Sequence, residues 1–388
     1  MERRMRTLAK FVLGLASGSL AFEVYLRTVE ATPLWRVLPL AEVALYGPSA
    51  DSGYTHRAGA SGIWLTENRA PIVISELGLR DGPGRAHVPP QGVRRLAVAG
   101  DSIVEALQVP ARETFTATAE RELERRTGTR IEVLNLGLSG ARPAVLVERL
   151  RWAAQHLAIQ GAVVSVAAAD LLIESEDDDS EFAGYVRTPS GRAVISHAFR
   201  DGRAFRLRSS SVGDAIYWTL DHIRLALVLN NRRNAGMMAE LVAVAPPRTP
   251  SRKDPCGSEM LEPYEALWAG QARGFANARL DAFLSDLADL SREKSIPLVL
   301  SIRGPGTDCA TRSERRQRLA ATAGRRVASA GLAFVDHELA MDRLPDAHPR
   351  AALSGFGVRL GFGHLNEAGH RIYAAVLTET IARHLLQR

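Results

Sequence analysis

The sequence predicts a doubly wound α/β fold on a parallel sheet of about five strands, and three observations carry the prediction. Short apolar runs alternate with helical patterns in two stretches of the chain, as in successive βαβ units. One run, Leu96 to Ala99, leads at once into Gly100-Asp101-Ser102 and then into a helical pattern, the strand, turn and helix that open such a fold. The rhythm is broken once, between about residues 174 and 262, by a segment that reads as an insertion.

The elements follow in chain order. Arg3, Arg4, Arg6 and Lys10 precede the apolar run Phe11 to Phe22, which Glu23 and Arg27 close. A basic flank before such a run is a secretory signal, with Ser19-Leu20-Ala21 as a cleavage site, or, counted from Leu8 to Leu26, an uncleaved membrane anchor. Residues 1–27 are therefore expected to be a signal peptide or anchor helix. Either exported reading places the body outside the cytoplasm, because the positive flank stays inside; a buried amphipathic helix is the alternative. Residues 28–92 read as a small, loop-rich lead-in punctuated by Pro33, Pro39, Pro48, Gly53, Gly59 and Gly62, with Ile72 to Ile74 a short strand.

The main domain, 93–388, starts at the Leu96–Ala99 strand, bounded by Arg94-Arg95 and Gly100 as a buried parallel strand would be. Glu113 to Arg126 carries apolar residues at helical spacing with charge opposite. Ile131 to Leu134 is a second strand, Val145 to His156 a helix, and Ala162 to Val166 a third strand that ends at Ala167-Ala168-Ala169-Asp170. The insertion, at about 174–262, is expected over the active face. It holds an acidic loop, Glu174 to Asp179, whose spacing fits no EF-hand and which reads as solvated. A hairpin over Tyr185 to Ile195 and a helix over Tyr217 to Asn230 follow, and then Pro246, Pro247, Pro250 and Pro255 forbid regular structure. A helix from about Glu265 to Lys294, a fourth strand Pro297 to Ile302, a helix around Arg315 to Ala330, a fifth strand Ala333 to Val335 and a helix from about His370 to Leu386 complete the chain.

Composition narrows the function. The net charge of +6 is spread along the chain, without the basic, aromatic-interleaved patch that binds nucleic acid, so no nucleic-acid partner is expected. The two cysteines, Cys256 and Cys309, lie in no CxxC or Cys/His cluster, so no structural zinc site is expected; no cofactor is expected either. In an oxidising compartment the two could pair, tying the proline-rich end of the insertion to the loop after the fourth strand.

Ser102 lies beyond the carboxyl end of a central strand, where such folds place ligands. A serine nucleophile needs a base within hydrogen-bond reach, and an imidazole titrates in the right range. His364 stands in the glycine-rich Gly361 to His370 stretch, GFGHLNEAGH, just ahead of the final helix. These segments resemble the blocks of the SGNH (GDSL) hydrolases. VRRLAVAGDS is similar to block I, whose serine is the nucleophile and whose backbone N–H is one oxyanion donor; HLNEAGH resembles block V, whose first histidine is the base. ISELGLRD (Ile74 to Asp81) resembles the lead-in of membrane-anchored members.

The resemblance implies a flavodoxin-like sheet, Ser102 and His364 as catalytic residues, and the N–H groups of Ser102 and Gly140 as the oxyanion hole. Gly140 matches the block II glycine in Asn135 to Gly140, and close backbone approach is expected to demand a glycine there. His370 matches the second block V histidine and reads as a packing residue at the helix start. Two family residues are replaced. The block III asparagine, the third oxyanion donor, is Ala169, and the triad aspartate three residues before the base is Gly361. Asp336, Asp342, Asp346 or a backbone carbonyl are the candidate substitutes for that acid.

The function expected is a serine esterase or O-acyl(acetyl)transferase working through Ser102 and His364, and the resemblance suggests O-acyl groups of an envelope polysaccharide as substrate. The alternative is a catalytically degenerate domain that binds glycan or scaffolds an envelope assembly, motivated by Ala169 and Gly361.

Overall fold

In the computed structural model the apolar runs come together as one parallel sheet. The structure describes residues 2–30, 45–64, 67–173, 176–177, 181–223, 261–304, 310–344, 352–356 and 363–387. A helix, α1 (Glu2–Glu30), is followed by two antiparallel hairpins, β1 (Tyr46–Ser49) with β2 (Gly53–His56) and β3 (Ser61–Trp64) with β4 (Ala70–Val73). The lead-in is thus more ordered than its prolines and glycines suggest. The central strand β5 (Arg94–Gly100) leads into a one-turn helix, α2 (Ser102–Glu105), and then α3 (Phe115–Thr127), β6 (Ile131–Asn135), α4 (Pro143–His156), β7 (Ala162–Ala167) and α5 (Ala168–Leu171).

The insertion supplies a hairpin, β8 (Gly184–Arg187) with β9 (Ala193–Ser196), and two helices, α6 (Arg203–Ser209) and α7 (Ser211–His222). The remainder is α8 (Glu262–Trp268), α9 (Ala276–Lys294), β10 (Leu298–Arg303), α10 (Ala310–Ser329), β11 (Ala333–Asp336), α11 (His337–Met341) and α12 (Glu367–His384).

The sheet order is β11-β10-β7-β5-β6, all parallel, with Ala97 beside Ala162 and Val299 beside Ala333. Read from β6, this is the 2-1-3-4-5 order of flavodoxin-like sheets, as expected, and its switch point falls between β5 and β7. Alternation along β5 builds both cores. Leu96 and Val98 face one side, with Phe115, Leu123, Leu377 and Ile381 from α3 and α12; Ala97 and Ala99 face the other, with Val145, Leu280 and Val327 from α4, α9 and α10. Thr114 caps α3 by accepting from the Ala117 N–H, and Asn366 caps α12 through the Gly369 N–H.

Several expectations need correction. The single helix expected over 265–294 is two, α8 and α9, parted where Gly270 and Gly274 take positive φ. The insertion hairpin packs on α4 and α9, in a side layer of the sheet, rather than over Ser102. Its helix starts earlier, at Ser211, and residues 224–260, including the proline cluster, lie outside the described residues. Asp177, expected in a solvated loop, is 6% exposed; it accepts the Tyr185 N–H at 2.8 Å and faces Arg279 at 3.5 Å. Cys256, Cys309, Asp346 and Gly361 lie outside the described residues. Along α1, Phe11, Val12, Leu13, Leu15 and Leu20 are exposed, but no helix among the described residues is long and apolar enough to cross a membrane.

Candidate active site

Ser102 is the first residue of α2, at the carboxyl end of β5. The preceding Asp101 is its N-cap: one carboxylate oxygen accepts the Ile103 N–H at 2.9 Å, and the other accepts from the Arg303 guanidinium at 2.6 Å. Arg303 reaches there from the end of β10 and also donates to Ser165 Oγ on β7 at 3.0 Å. The strand–turn–helix is therefore tighter than the sequence suggests. Ser102 opens a single turn that ends at Ala106, with φ +57°, rather than the long helix α3.

His364 Nε2 lies 2.8 Å from Ser102 Oγ. The other ring nitrogen, Nδ1, lies 3.0 and 3.1 Å from the two carboxylate oxygens of Glu67, and the His364 backbone N–H donates to Glu67 Oε2 at 3.0 Å. A carboxylate can only accept, so Nδ1 carries the proton and Nε2 is left to accept from the Ser102 hydroxyl. The hydroxyl, the imidazole and the carboxylate are thus aligned, with His364 and Glu67 side chains about a quarter exposed, at 27% and 28%. The acid comes from the lead-in, in the turn between β3 and β4. Asp336 is instead paired with Arg316 at 2.8 Å and caps α11 through the Leu339 N–H. Asp342, exposed at the end of α11, does not hold the imidazole either.

Local backbone explains why the acid fits. Glu67 has φ +68°, a left-handed conformation that non-glycine residues rarely take and that gathers at functional sites. Gly363 opposes it, and a Cβ there would sit 2.8 Å from both Glu67 oxygens. A glycine beside the base is therefore what admits an acid from another segment.

The N–H groups of Ser102 and Gly140 donate to no other group among the described residues. Gly140 has φ +73°, which accounts for the glycine; a Cβ there would meet only the Tyr54 hydroxyl, at 3.5 Å. The close approach expected at Gly140 occurs instead at Gly137, where a Cβ would fall 2.1 Å from the Glu105 nitrogen. Asn135 braces this loop, donating to the Val104 carbonyl at 2.7 Å and accepting the Gly137 N–H at 2.9 Å.

Ala169 lies exposed on α5 and offers no side-chain donor. Its neighbour Asp170 has a carboxyl pushed up to about 6, by burial first and then by the Asp101 charge, against the pull of Arg303 and Arg142. His370 is fully buried on α12, accepts the Phe115 N–H at Nδ1 and stacks on the Phe115 ring, as a packing residue should.

Of the residues named from sequence, Ser102 and His364 are brought within hydrogen-bond distance of each other; Glu67, Tyr54 and Arg303 were not named.

No family model matches the chain, and no curated protein does. Among solved structures, an alpha/beta hydrolase enzyme, LAE5, from the metagenome of Lake Arreo, Spain, superposes with a TM-score of 0.36 at 16% identity, over 74% of this chain and 95% of its own. A lipase/acylhydrolase from Enterococcus faecalis gives 0.35 at 14% identity, over 74% and 95%. Axe2, an acetylxylan esterase from Geobacillus stearothermophilus, gives 0.34 at 15% identity, over 74% and 94%. Similarity at this level carries no argument about function, which rests on the chain's own geometry.

Proposed function

We propose that this protein is a serine ester hydrolase or O-acyltransferase. The observation that supports it is the continuous hydrogen-bonded chain from Glu67 through His364 to Ser102. Ser102 Oγ bonds to the acyl carbon while its proton passes to His364 Nε2, and the carbonyl oxygen becomes an oxyanion held by the N–H groups of Ser102 and Gly140. As the tetrahedral species collapses, the acyl–oxygen bond to the alcohol breaks and His364 returns the proton to the leaving oxygen. Water, or an acceptor alcohol in the transferase case, then attacks the acyl-serine with His364 again as base. Glu67 keeps Nδ1 protonated and stabilises the imidazolium as it forms.

The substrate we propose is an O-acyl group on a polysaccharide of the cell envelope. The segment resemblance and the basic, apolar N-terminus suggest it, as they suggest a body exported from the cytoplasm and attached or released through residues 1–27. A non-catalytic glycan-binding role retains one supporting observation, the alanine at 169. Against its other motive, a base without an acid, the contact of Glu67 with His364 supports the catalytic reading.

A fluorophosphonate probe tests the proposal. The wild-type protein should be labelled and should hydrolyse an activated ester, and Ser102→Ala should do neither. Labelling that survives this substitution would remove Ser102 from the reaction. Folded wild-type protein that neither labels nor turns over would leave the binding role.

A further inference from the structure

The peptide between Ser139 and Gly140 is held from two sides. The Tyr54 hydroxyl, on β2 of the lead-in, donates to the Ser139 carbonyl at 2.6 Å. On the other side the Ser139 hydroxyl donates to Glu105, which is fully buried at the end of α2. That carboxylate is itself fixed by the Tyr46 hydroxyl at 2.6 Å and His56 Nε2 at 2.5 Å, so lead-in side chains surround it. His56 Nδ1 faces the Arg149 guanidinium at 3.4 Å, which leaves Nε2 as the nitrogen that donates. Arg149 is anchored in turn on the Leu136 carbonyl and Thr55 Oγ1, both at 2.7 Å. Burial acts to raise the Glu105 carboxyl, but the His56, Ser139 and Tyr46 hydrogen bonds overcome it and the group stays below its usual range, charged at neutral pH.

A trans peptide is planar, so its C=O and the following N–H point in opposite directions. Fixing the Ser139 carbonyl on Tyr54 therefore fixes the direction of the Gly140 N–H, away from the lead-in. Gly140, with φ +73° and no Cβ, would otherwise let this peptide rotate at small cost. Glu105 stands three residues after Ser102 on the same helical turn, so its bond to the Ser139 hydroxyl ties the Ser139–Gly140 peptide to the element that carries the Ser102 N–H.

We propose that Tyr54 and Glu105 are positioning residues that lock the Ser139–Gly140 peptide with its N–H presented to the oxyanion, so that the lead-in completes the oxyanion hole. The inference rests on the serine-ester reading above. It adds that the hole is preformed only when the β1–β2 hairpin is docked.

The test compares an activated ester with its thionoester. Sulfur accepts hydrogen bonds poorly, so thionoester turnover depends less on the hole. Losing a whole oxyanion donor costs about 10²–10³ in kcat where it has been measured in another enzyme. In Tyr54→Phe, which keeps the ring but not the donor, kcat for the ester should fall roughly 10- to 100-fold, less than for outright loss of a donor. KM and the pH profile should hold, and thionoester turnover should change much less, so that the ratio of the two substrates shrinks. Ser139→Ala, which cuts the tie to Glu105 without adding bulk, should show the same split and serves if Tyr54→Phe folds poorly. Equal loss on both substrates, or no loss on either, overturns the proposal. Wild-type turnover that does not depend on Ser102 removes the reaction itself, and Ser102→Ala assayed in parallel separates that failure from this one.

Discussion

Glu67 grips His364 by ring and backbone together while holding a positive φ of 68°, so its carboxylate cannot be replaced by a neighbour without moving the turn. Glu67→Gln keeps the size but offers an amide where a charge stood, and it can present an N–H to Nδ1 and favour the wrong tautomer. Turnover of an activated ester should fall by at least about tenfold, bounded by the ~10⁴-fold that a triad Asp→Asn change costs in a protease. KM should hold, and steady-state kinetics check this. Unchanged turnover would take Glu67 out of the reaction. At this scale the sequence was half legible. Ser102 and His364 announce themselves by flanking glycines and helix starts. Glu67, Tyr54 and Arg303 meet their partners across distant segments, and no local spacing encodes such meetings.

At the scale of elements, the strands of the sheet were legible because burial on both faces leaves uninterrupted apolar runs. Of the lead-in only the strand at Ile72 was, because four-residue strands among prolines and glycines have no such pattern. The final helix makes its own prediction through His370. Its pKa is pushed down to about 3, by burial first and then by the His364 and Arg80 charges. An unfolded histidine titrates near 6.5, so between about 6.5 and 3 the unfolded chain takes a proton that the folded one refuses. The contribution is whole above about 6.5 and is lost as the pH falls, at about 1.4 kcal/mol per pH unit. Unfolding free energy measured by denaturant at pH 7 and pH 5 should therefore differ less in His370→Gln than in wild type, by about 2 kcal/mol. Equal differences in the two proteins would mean that His370 charges without cost in the fold.

Across the whole molecule, the lead-in and the sheet act as one unit. The β1–β2 hairpin touches the nucleophile's helix through Tyr46 and His56, and the insertion is tied to the hairpin by Arg57 and Asp214 at 2.8 Å and by the Ala183 N–H on the Ser52 carbonyl. If the body is exported as proposed, a reporter that folds only outside the cytoplasm, fused after Arg388, should be active. Activity of a cytoplasmic reporter at the same position, with the first one silent, would place the body inside.

The hydrogen-bonded chain joins segments far apart in sequence: Ser102 and His364 are 262 positions apart, and Glu67 and His364 are 297. Such separations make for slow closure, since loop entropy is lost before the contact forms. They also mean that a partial chain, whether still emerging from the ribosome or stalled in a translocon, carries a serine with no base. Under the proposed chemistry an unfinished or unfolded copy is harmless to the esters around it. The nucleophile is armed only once the last fifth of the protein has arrived and folded back onto the first.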